Sequence, residues 1–190
     1  MKNVVTVAVC LLALTIANAC EQKTGFLIPE PFTQGDITVN GADSACQSFS
    51  ESSASIPPGT YRAWLSTASQ SAADRIFSEA ANDWVPIKNV AGEVIAANKG
   101  RLLDGTIDNL FLDPSGLPSD GFVWTGTQID GTVGRHDCKA WGSSSSYDYG
   151  IAGVAGYHNG SWTDYNYPGC NNEMRLYCIS IDTYTPSILP

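Results

Sequence analysis

The pentapeptide Arg175-Leu176-Tyr177-Cys178-Ile179 is a predicted β-strand that carries the last cysteine of the chain. A buried strand directs such a side chain into the core, so Cys178 is expected to pair with a distant cysteine. The other candidates are Cys46, Cys138 and Cys170, and the four cysteines allow three pairings. We favour the nested pairing, with Cys46–Cys178 outside and Cys138–Cys170 inside. In the chain-entropy model, closed loops of about 130 and about 30 residues contribute roughly 5 and 4 kcal/mol.

The segments before this strand mix helical and extended patterns. Residues 43–49 and 71–82 place apolar side chains at helical spacing, whereas residues 61–65 alternate large and small side chains as a strand does. After Asp113, glycines and prolines separate short predicted strands such as 122–125. The pattern predicts an α+β domain with a small twisted antiparallel sheet, two helices and long loops.

The N-terminus predicts export. Lys2, the apolar run 4–16 and the small residues Ala17-Asn18-Ala19 form the three parts of a secretory signal peptide. Cys20 follows directly, as in bacterial lipoprotein signals, although Ala17 stands where those signals usually carry leucine. Lipidation of Cys20 also leaves an even number of cysteines for disulfides. We therefore expect a lipid anchor on Cys20, and ordinary secretion is the alternative.

These features predict an organisation and a location for the chain. The predicted parts are a signal peptide (1–19), a lipidated tether (20–35), a folded domain (36–183) and a C-terminal tail (184–190). The lipid would place the protein at the outer membrane or cell surface, and the alternatives are a secreted or periplasmic protein.

The charge balance limits the class of ligand. The formal net charge is −9, with 19 acidic side chains against 10 Lys and Arg. Nucleic acids and polyanionic sugars such as heparin are bound through clustered Lys and Arg, so neither is an expected partner.

Six short motifs occur in an order that is specific as a set. They are Gly41-Ala42-Asp43 with Cys46, Gly59-Thr60-Tyr61-Arg62-Ala63-Trp64-Leu65-Ser66, Val85-Pro86-Ile87, Val123-Trp124-Thr125-Gly126, Cys138-Lys139-Ala140-Trp141 and Leu176-Tyr177-Cys178-Ile179. Over residues 36–182 this order resembles the endostatin domain of certain collagens. With the lipoprotein-like signal in front, the chain is similar in architecture to the leptospiral endostatin-like surface lipoproteins.

The resemblance implies a C-type-lectin-like α+β fold and the same nested disulfides. It also implies a non-enzymatic role, the binding of host matrix proteins such as laminin and fibronectin or of complement regulators such as factor H. Some properties of these families are not carried over. The cations are few and scattered, no histidine precedes His136, and neither Glu-Pro-Asn nor Gln-Pro-Asp occurs, so heparin, zinc and calcium-dependent sugar binding are not expected.

Four tyrosines are the candidate partner-binding residues. Tyr147, Tyr149, Tyr165 and Tyr167 lie among Ser, Gly, Asp and Asn, a mixture typical of adaptable binding loops. The alternative is a solvated loop without a ligand. By contrast, tryptophans beside glycines in a small sheet are usually core residues, and Trp124 and Trp141 are expected to be buried.

Neither a cofactor nor a catalytic activity is expected. Oxygen ligands from Asp164, the Asn171-Asn172 pair and Glu173 could hold calcium, but hydrogen bonding within turns is the favoured interpretation of these residues. His136 and His158 are the only histidines, and no Gly-x-Ser-x-Gly is present. The leading hypothesis is a host-protein adhesin, and the alternative is a structural or environmental envelope lipoprotein with no host ligand.

Overall fold

The computed structural model describes residues 21–33, 38–78 and 82–186, so the predicted signal peptide and Cys20 lie outside the described residues. The strands in this part of the chain are β1 Lys23–Thr33, β2 Tyr61–Ala63, β3 Ile87–Lys88, β4 Val94–Ala96, β5 Phe122–Trp124, β6 Ala152–Val154 and β7 Glu173–Ser180. The helices are α1 Val39–Ser52, α2 Ala72–Ile76, α3 Lys99–Leu102 and a 3-10 helix at Gly160–Trp162. This arrangement confirms the α+β class.

The predicted strand around Cys178 is β7, and it is central to the sheet. The strand order is β4-β3-β1-β7-β5-β6, with β2 also paired to β7. The sheet is mixed, because β1 pairs with β3 and β5 pairs with β7 in parallel. The prediction of an antiparallel sheet was therefore wrong for these two pairs. Parallel neighbours need long connections, and the connecting segments between these strands supply them.

The two longest strands separate two hydrophobic cores. Phe26 of β1 packs with Leu176 and Cys178 of β7 on one side, whereas Leu27 packs with Tyr177 on the other. Successive side chains of a strand point to opposite faces, so this pair of strands is buried on both faces. The tryptophans divide between the cores in the same way, with Trp124 and Trp141 in the first and Trp64 and Trp162 in the second. The expected burial of Trp124 and Trp141 is confirmed.

The predicted tether is wrong, because most of it is β1. Lys23–Thr33 pairs antiparallel with β7, and Gln22 exchanges two backbone hydrogen bonds with Tyr184 at 2.9 and 2.8 Å. The prolines at 29 and 31 suggested a linker. They fall where the β1–β7 register shifts, between Ile28 and Phe32, and a shifted register leaves backbone positions that need no ladder hydrogen bond. The folded domain therefore begins before residue 36 and extends past residue 183.

Both predicted helices exist with changed bounds. The helix predicted at 43–49 is the longer α1, which begins after Thr38, whose side chain accepts a hydrogen bond from the Gly41 backbone N–H. The helix predicted at 71–82 is the shorter α2. Phe77 leaves the helical conformation and packs into the second core, and residues 79–81 lie outside the described part. A third helix, α3, was not predicted.

The nested disulfides are confirmed. Cys46 on α1 joins Cys178 on β7 with a Cα–Cα distance of 5.5 Å, and Cys138 joins Cys170 with a Cα–Cα distance of 5.7 Å. All four cysteines are fully buried. The first bond fastens the longest helix to the central strand, and the second closes the glycine-rich segment that carries the predicted tyrosines.

Candidate functional site

The segments that carry the candidate tyrosines lie side by side next to β6. Isolated backbone bridges join Tyr149 to Gly169, Asp137 to Gly150 and Ala152 to Asn166. Gly153 of β6 allows the 160–165 segment to approach, because a Cβ at this residue would overlap the carbonyl group of Trp162. Residues that are distant in sequence are thereby fixed next to one another.

A left-handed turn anchors this region. The four residues Cys138–Trp141 have φ values of 51°, 54°, 55° and 64°, and they are the only non-glycine residues with positive φ in the described part of the chain. Each such residue costs about 1–2 kcal/mol because Cβ crowds the following carbonyl oxygen. The buried Trp141 Nε1 donates to the Ser66 carbonyl at 2.6 Å, and Cys138 is in a disulfide. Tertiary bonds at both ends therefore maintain the strained turn.

Replacing Ala140 with glycine is expected to stabilise the protein by about 0.5–1 kcal/mol. The side chain of Ala140 is exposed, so little packing is lost, and glycine adopts positive φ without the Cβ clash. Greater freedom of glycine in the unfolded chain offsets part of the gain. Urea denaturation measures the change. Ala91→Gly, at an exposed residue with negative φ, is the control and should be destabilising. A lower free energy of unfolding in Ala140→Gly would contradict backbone strain at Ala140.

Six exposed aromatic rings form two groups of ring contacts on neighbouring segments, and we call the two groups together the aromatic surface. Its members are Phe122, His136, Tyr149, Tyr157, Tyr165 and Tyr167. His136 contacts Tyr167 and Tyr149, with ring centroids 5.3 and 6.3 Å apart. Tyr165 contacts Phe122 and Tyr157 at 6.1 and 5.9 Å. Because Tyr165 and Tyr167 are two residues apart, one short segment carries both halves of the surface.

The structure brings together three of the four predicted tyrosines. Tyr149, Tyr165 and Tyr167 are each 48–50% exposed and belong to the aromatic surface. Tyr147 is 86% exposed and has no ring contact with any described residue. Phe122, His136 and Tyr157 were missed as surface members. Phe122 begins β5 as part of an apolar run, and its outward direction follows only from the pairing of β5 with β6.

A cleft of about 380 Å³ lies beside the aromatic surface. Its lining residues are Gln128, Arg135, His136, Ile151, Asp164 and Tyr167. Burial raises the pKa of the Asp164 carboxyl above its ordinary value, a hydrogen bond with Tyr167 opposes this shift, and the nearby Asp130 carboxylate adds to it. Within the described residues neither Arg135 nor Asp164 forms an ion pair. The cleft therefore offers a carboxylate and a guanidinium to a ligand.

The residues considered for calcium are not gathered in this cleft. Asp164 lines the cleft, whereas the side chain of Asn172 donates to the Gly169 carbonyl at 2.8 Å, which is an interaction within a turn. In the part of the chain that the structure describes, no group of three or more His, Cys, Asp and Glu side chains is placed to hold a metal ion. Calcium binding stays an untested alternative.

The two histidines occupy different surroundings. His136 belongs to the aromatic surface and the cleft, whereas His158 Nδ1 lies 3.2 Å from the Ile107 carbonyl oxygen. In the hydrogen bonds among the described residues, neither imidazole contacts a serine hydroxyl or a carboxylate. The absence of an enzymatic activity stays a prediction.

No protein-family model matches the chain, and no curated protein matches it either. Among the described residues, none of the helices is both long and apolar enough to cross a bilayer. The function of the aromatic surface is therefore inferred from its geometry.

Proposed function

We propose that this protein is a surface-exposed lipoprotein whose domain binds a host protein through the aromatic surface and the adjoining cleft, without catalysis. The proposed partners are matrix proteins such as laminin and fibronectin, or complement regulators such as factor H. The observation that carries the proposal is the group of six exposed aromatic rings on short, cross-bridged segments. Apolar surface gathered in one patch, rather than scattered singly, often marks an interaction site.

Tyrosine suits this role for two physical reasons. Its ring presents a large contact area while losing only two side-chain torsions on binding, and its hydroxyl bonds to polar partners. In the aromatic surface the rings already contact one another, so part of that ordering occurs before the partner arrives. Tyr147 lacks such contacts and is expected to contribute less than Tyr165 and Tyr167.

The charge of the domain favours a basic partner. The net charge of the chain is −9, and the Asp164 carboxylate, which forms no ion pair with any described residue, lies beside the aromatic rings. A cationic side chain entering the cleft would meet this carboxylate and the faces of His136 and Tyr167. Arg135 would then receive an acidic group of the partner, which fixes the orientation of binding.

We also propose that the domain has an endostatin-like, C-type-lectin-like fold. The support is the pair of nested disulfides, Cys46–Cys178 and Cys138–Cys170, which is the pairing that the resemblance implies. The mixed sheet with a long helix packed on β2 and β7 is compatible with that fold. An experimental structure that superposes poorly on an endostatin domain would reject this part of the proposal.

Alanine substitutions at Tyr165 and Tyr167 are expected to weaken partner binding about tenfold each, a loss typical of residues that contribute substantially to the binding free energy of an interface. Solid-phase binding to laminin, fibronectin and factor H measures the effect, and added salt should weaken binding because of the acidic charge. Leu117→Ala is the matched control, since Leu117 is 61% exposed and lies outside the aromatic surface.

The outcomes separate the proposal from its alternative. Saturable binding that the tyrosine substitutions weaken, with unchanged thermal unfolding, supports the adhesin. No binding to any of the three proteins favours a structural envelope lipoprotein with no host ligand. Equal affinity of the substituted and unsubstituted proteins would reject the aromatic surface as the binding site.

A further inference from the structure

Trp84 differs from the other four tryptophans. The side chain of Trp84 is 80% exposed, whereas the other four are at most 1% exposed. Trp84 lies in a turn closed by the Val85 backbone N–H, which donates to the Asn82 carbonyl at 3.4 Å. Covering such a large exposed ring would be favourable, because its apolar area would then be removed from water.

The turn that carries Trp84 lies next to the start of the mature chain. The Lys23 backbone N–H donates to the Pro86 carbonyl at 2.8 Å, so β1 starts two residues from Trp84 in the folded structure. Cys20 precedes Lys23 by only three residues, which span at most about 11 Å. With the predicted tether replaced by β1, a lipid on Cys20 would hold this turn close to the membrane.

The charge beside Trp84 is already compensated. The Asp83 carboxylate lies 3.3 Å from the Lys99 ammonium group. A paired carboxylate is less strongly repelled by an anionic surface than a free one, and it loses less hydration when it approaches lipid. Asp83, the residue before Trp84, therefore brings no unpaired charge to the surface that the Trp84 ring would contact.

The aromatic surface lies at the other edge of the sheet. The turn precedes β3, whereas the aromatic surface surrounds β6, and β1, β7 and β5 lie between them. Four strand spacings separate β3 from β6 by about 19 Å. The neighbours of β7 on the two sides also pair at different levels along it. On the side of the Trp84 turn, Gly25 of β1 pairs with Ile179, whereas on the side of the aromatic surface Val123 of β5 pairs with Arg175. A membrane at the Trp84 turn would leave the aromatic surface facing outward.

We propose that Trp84 inserts into the headgroup layer of the membrane that carries the domain, which orients the aromatic surface away from the lipid. The inference rests on the lipid anchor in the proposed function. Trp is the side chain that favours this layer, because its ring is apolar and its indole N–H bonds to headgroups. The lipid on Cys20 supplies most of the affinity, and Trp84 fixes the orientation.

The test uses the mature chain from Cys20, coupled through the Cys20 thiol to a maleimide lipid in phosphatidylcholine vesicles. The other four mature cysteines are in disulfides, so only this thiol reacts. Because four tryptophans are buried, the change in fluorescence reports Trp84. On coupling, the emission maximum should move to shorter wavelength and acrylamide quenching should fall about threefold, as the ring leaves water.

Two controls identify the cause of the change. Trp84→Phe should abolish both the shift and the protection, and coupling through a Tyr147→Cys, Cys20→Ser variant should give neither. Emission and quenching that match the free protein would overturn the inference, as would a concentration-dependent shift in the free protein, which would assign Trp84 to self-association. Because the lipid is attached chemically, this result is independent of whether the cell lipidates Cys20 and of whether a host partner exists.

Discussion

Replacing both Cys46 and Cys178 with alanine is expected to lower the free energy of unfolding by about 5 kcal/mol. The bond closes a segment of 132 residues, the longer of the two closed loops among the described residues. Without it, the unfolded chain gains the entropy of that whole loop, and α1 is no longer fastened to β7. The free energy of unfolding of a domain of this size is roughly 5–15 kcal/mol in total, so the double substitution should leave the protein close to unfolding.

Urea denaturation at one pH, with and without the substitutions, measures this change. The comparison protein carries Cys138→Ala and Cys170→Ala, which opens a segment of 32 residues and should lose about 4 kcal/mol. The two proteins should also differ in kind. Loss of Cys138–Cys170 is expected to release the left-handed turn and weaken partner binding, whereas loss of Cys46–Cys178 acts on the whole fold. Equal stability of substituted and unsubstituted proteins would show that packing alone fixes α1 on the sheet.

Replacing Arg75 with methionine is expected to destabilise the protein by about 3 kcal/mol, because the partly buried Asp43 carboxylate then keeps only the Arg62 Nε, 4.0 Å away, as a cationic partner. Arg75 is only 3% exposed, and its Nη2 lies 2.6 Å from both oxygens of Asp43. Its Nη1 donates to the carbonyls of Ala63 at 3.0 Å and Leu65 at 2.6 Å. One guanidinium therefore joins α2 to α1 and to the end of β2.

Two further proteins distinguish this account from a general effect of losing an arginine. Arg101→Met removes an exposed pair with Asp104 and should leave the urea midpoint unchanged, because solvent screens that pair. Adding Asp43→Ala to Arg75→Met should recover part of the lost stability, since the partly buried carboxylate that lost its nearest partner is then absent. If the double substitution lowers the free energy of unfolding by the full sum of the two single effects, the two residues act independently. The ion pair is then not the cause of the loss in Arg75→Met.

The disulfide frame and the strand around Cys178 could be predicted from sequence because their signals are local or combinatorial. A β-strand pattern with a buried cysteine and an even cysteine count leave few solutions. The first helix was also predictable, since residues 43–49 place apolar side chains at helical spacing. Its true start at Val39, after the Thr38 cap, was outside the predicted bounds because helix ends depend on capping contacts.

The first strand could not be predicted by the same reasoning. Residues 26–28 are apolar without alternation, which fits a strand buried on both faces only when cores exist on both sides. The two prolines nearby suggested a linker, and their tolerance depends on the register shift against β7. Both features therefore depend on β7 and on the cores that flank it, and not on the sequence of this segment alone.

Local pattern predicted an α+β domain with four paired cysteines, favoured the nested pairing among three, and pointed to tyrosines in polar loops as the candidate binding residues. Only the tertiary structure decided that β1 lies beside β7, that Tyr165 joins Phe122 while Tyr147 stands apart, and that Trp84 lies beside the start of β1. The physical reason is the distance along the sequence over which each property is set. Periodicity and cysteine number are properties of short segments, whereas exposure and ring contacts depend on strands brought together from opposite ends of the chain.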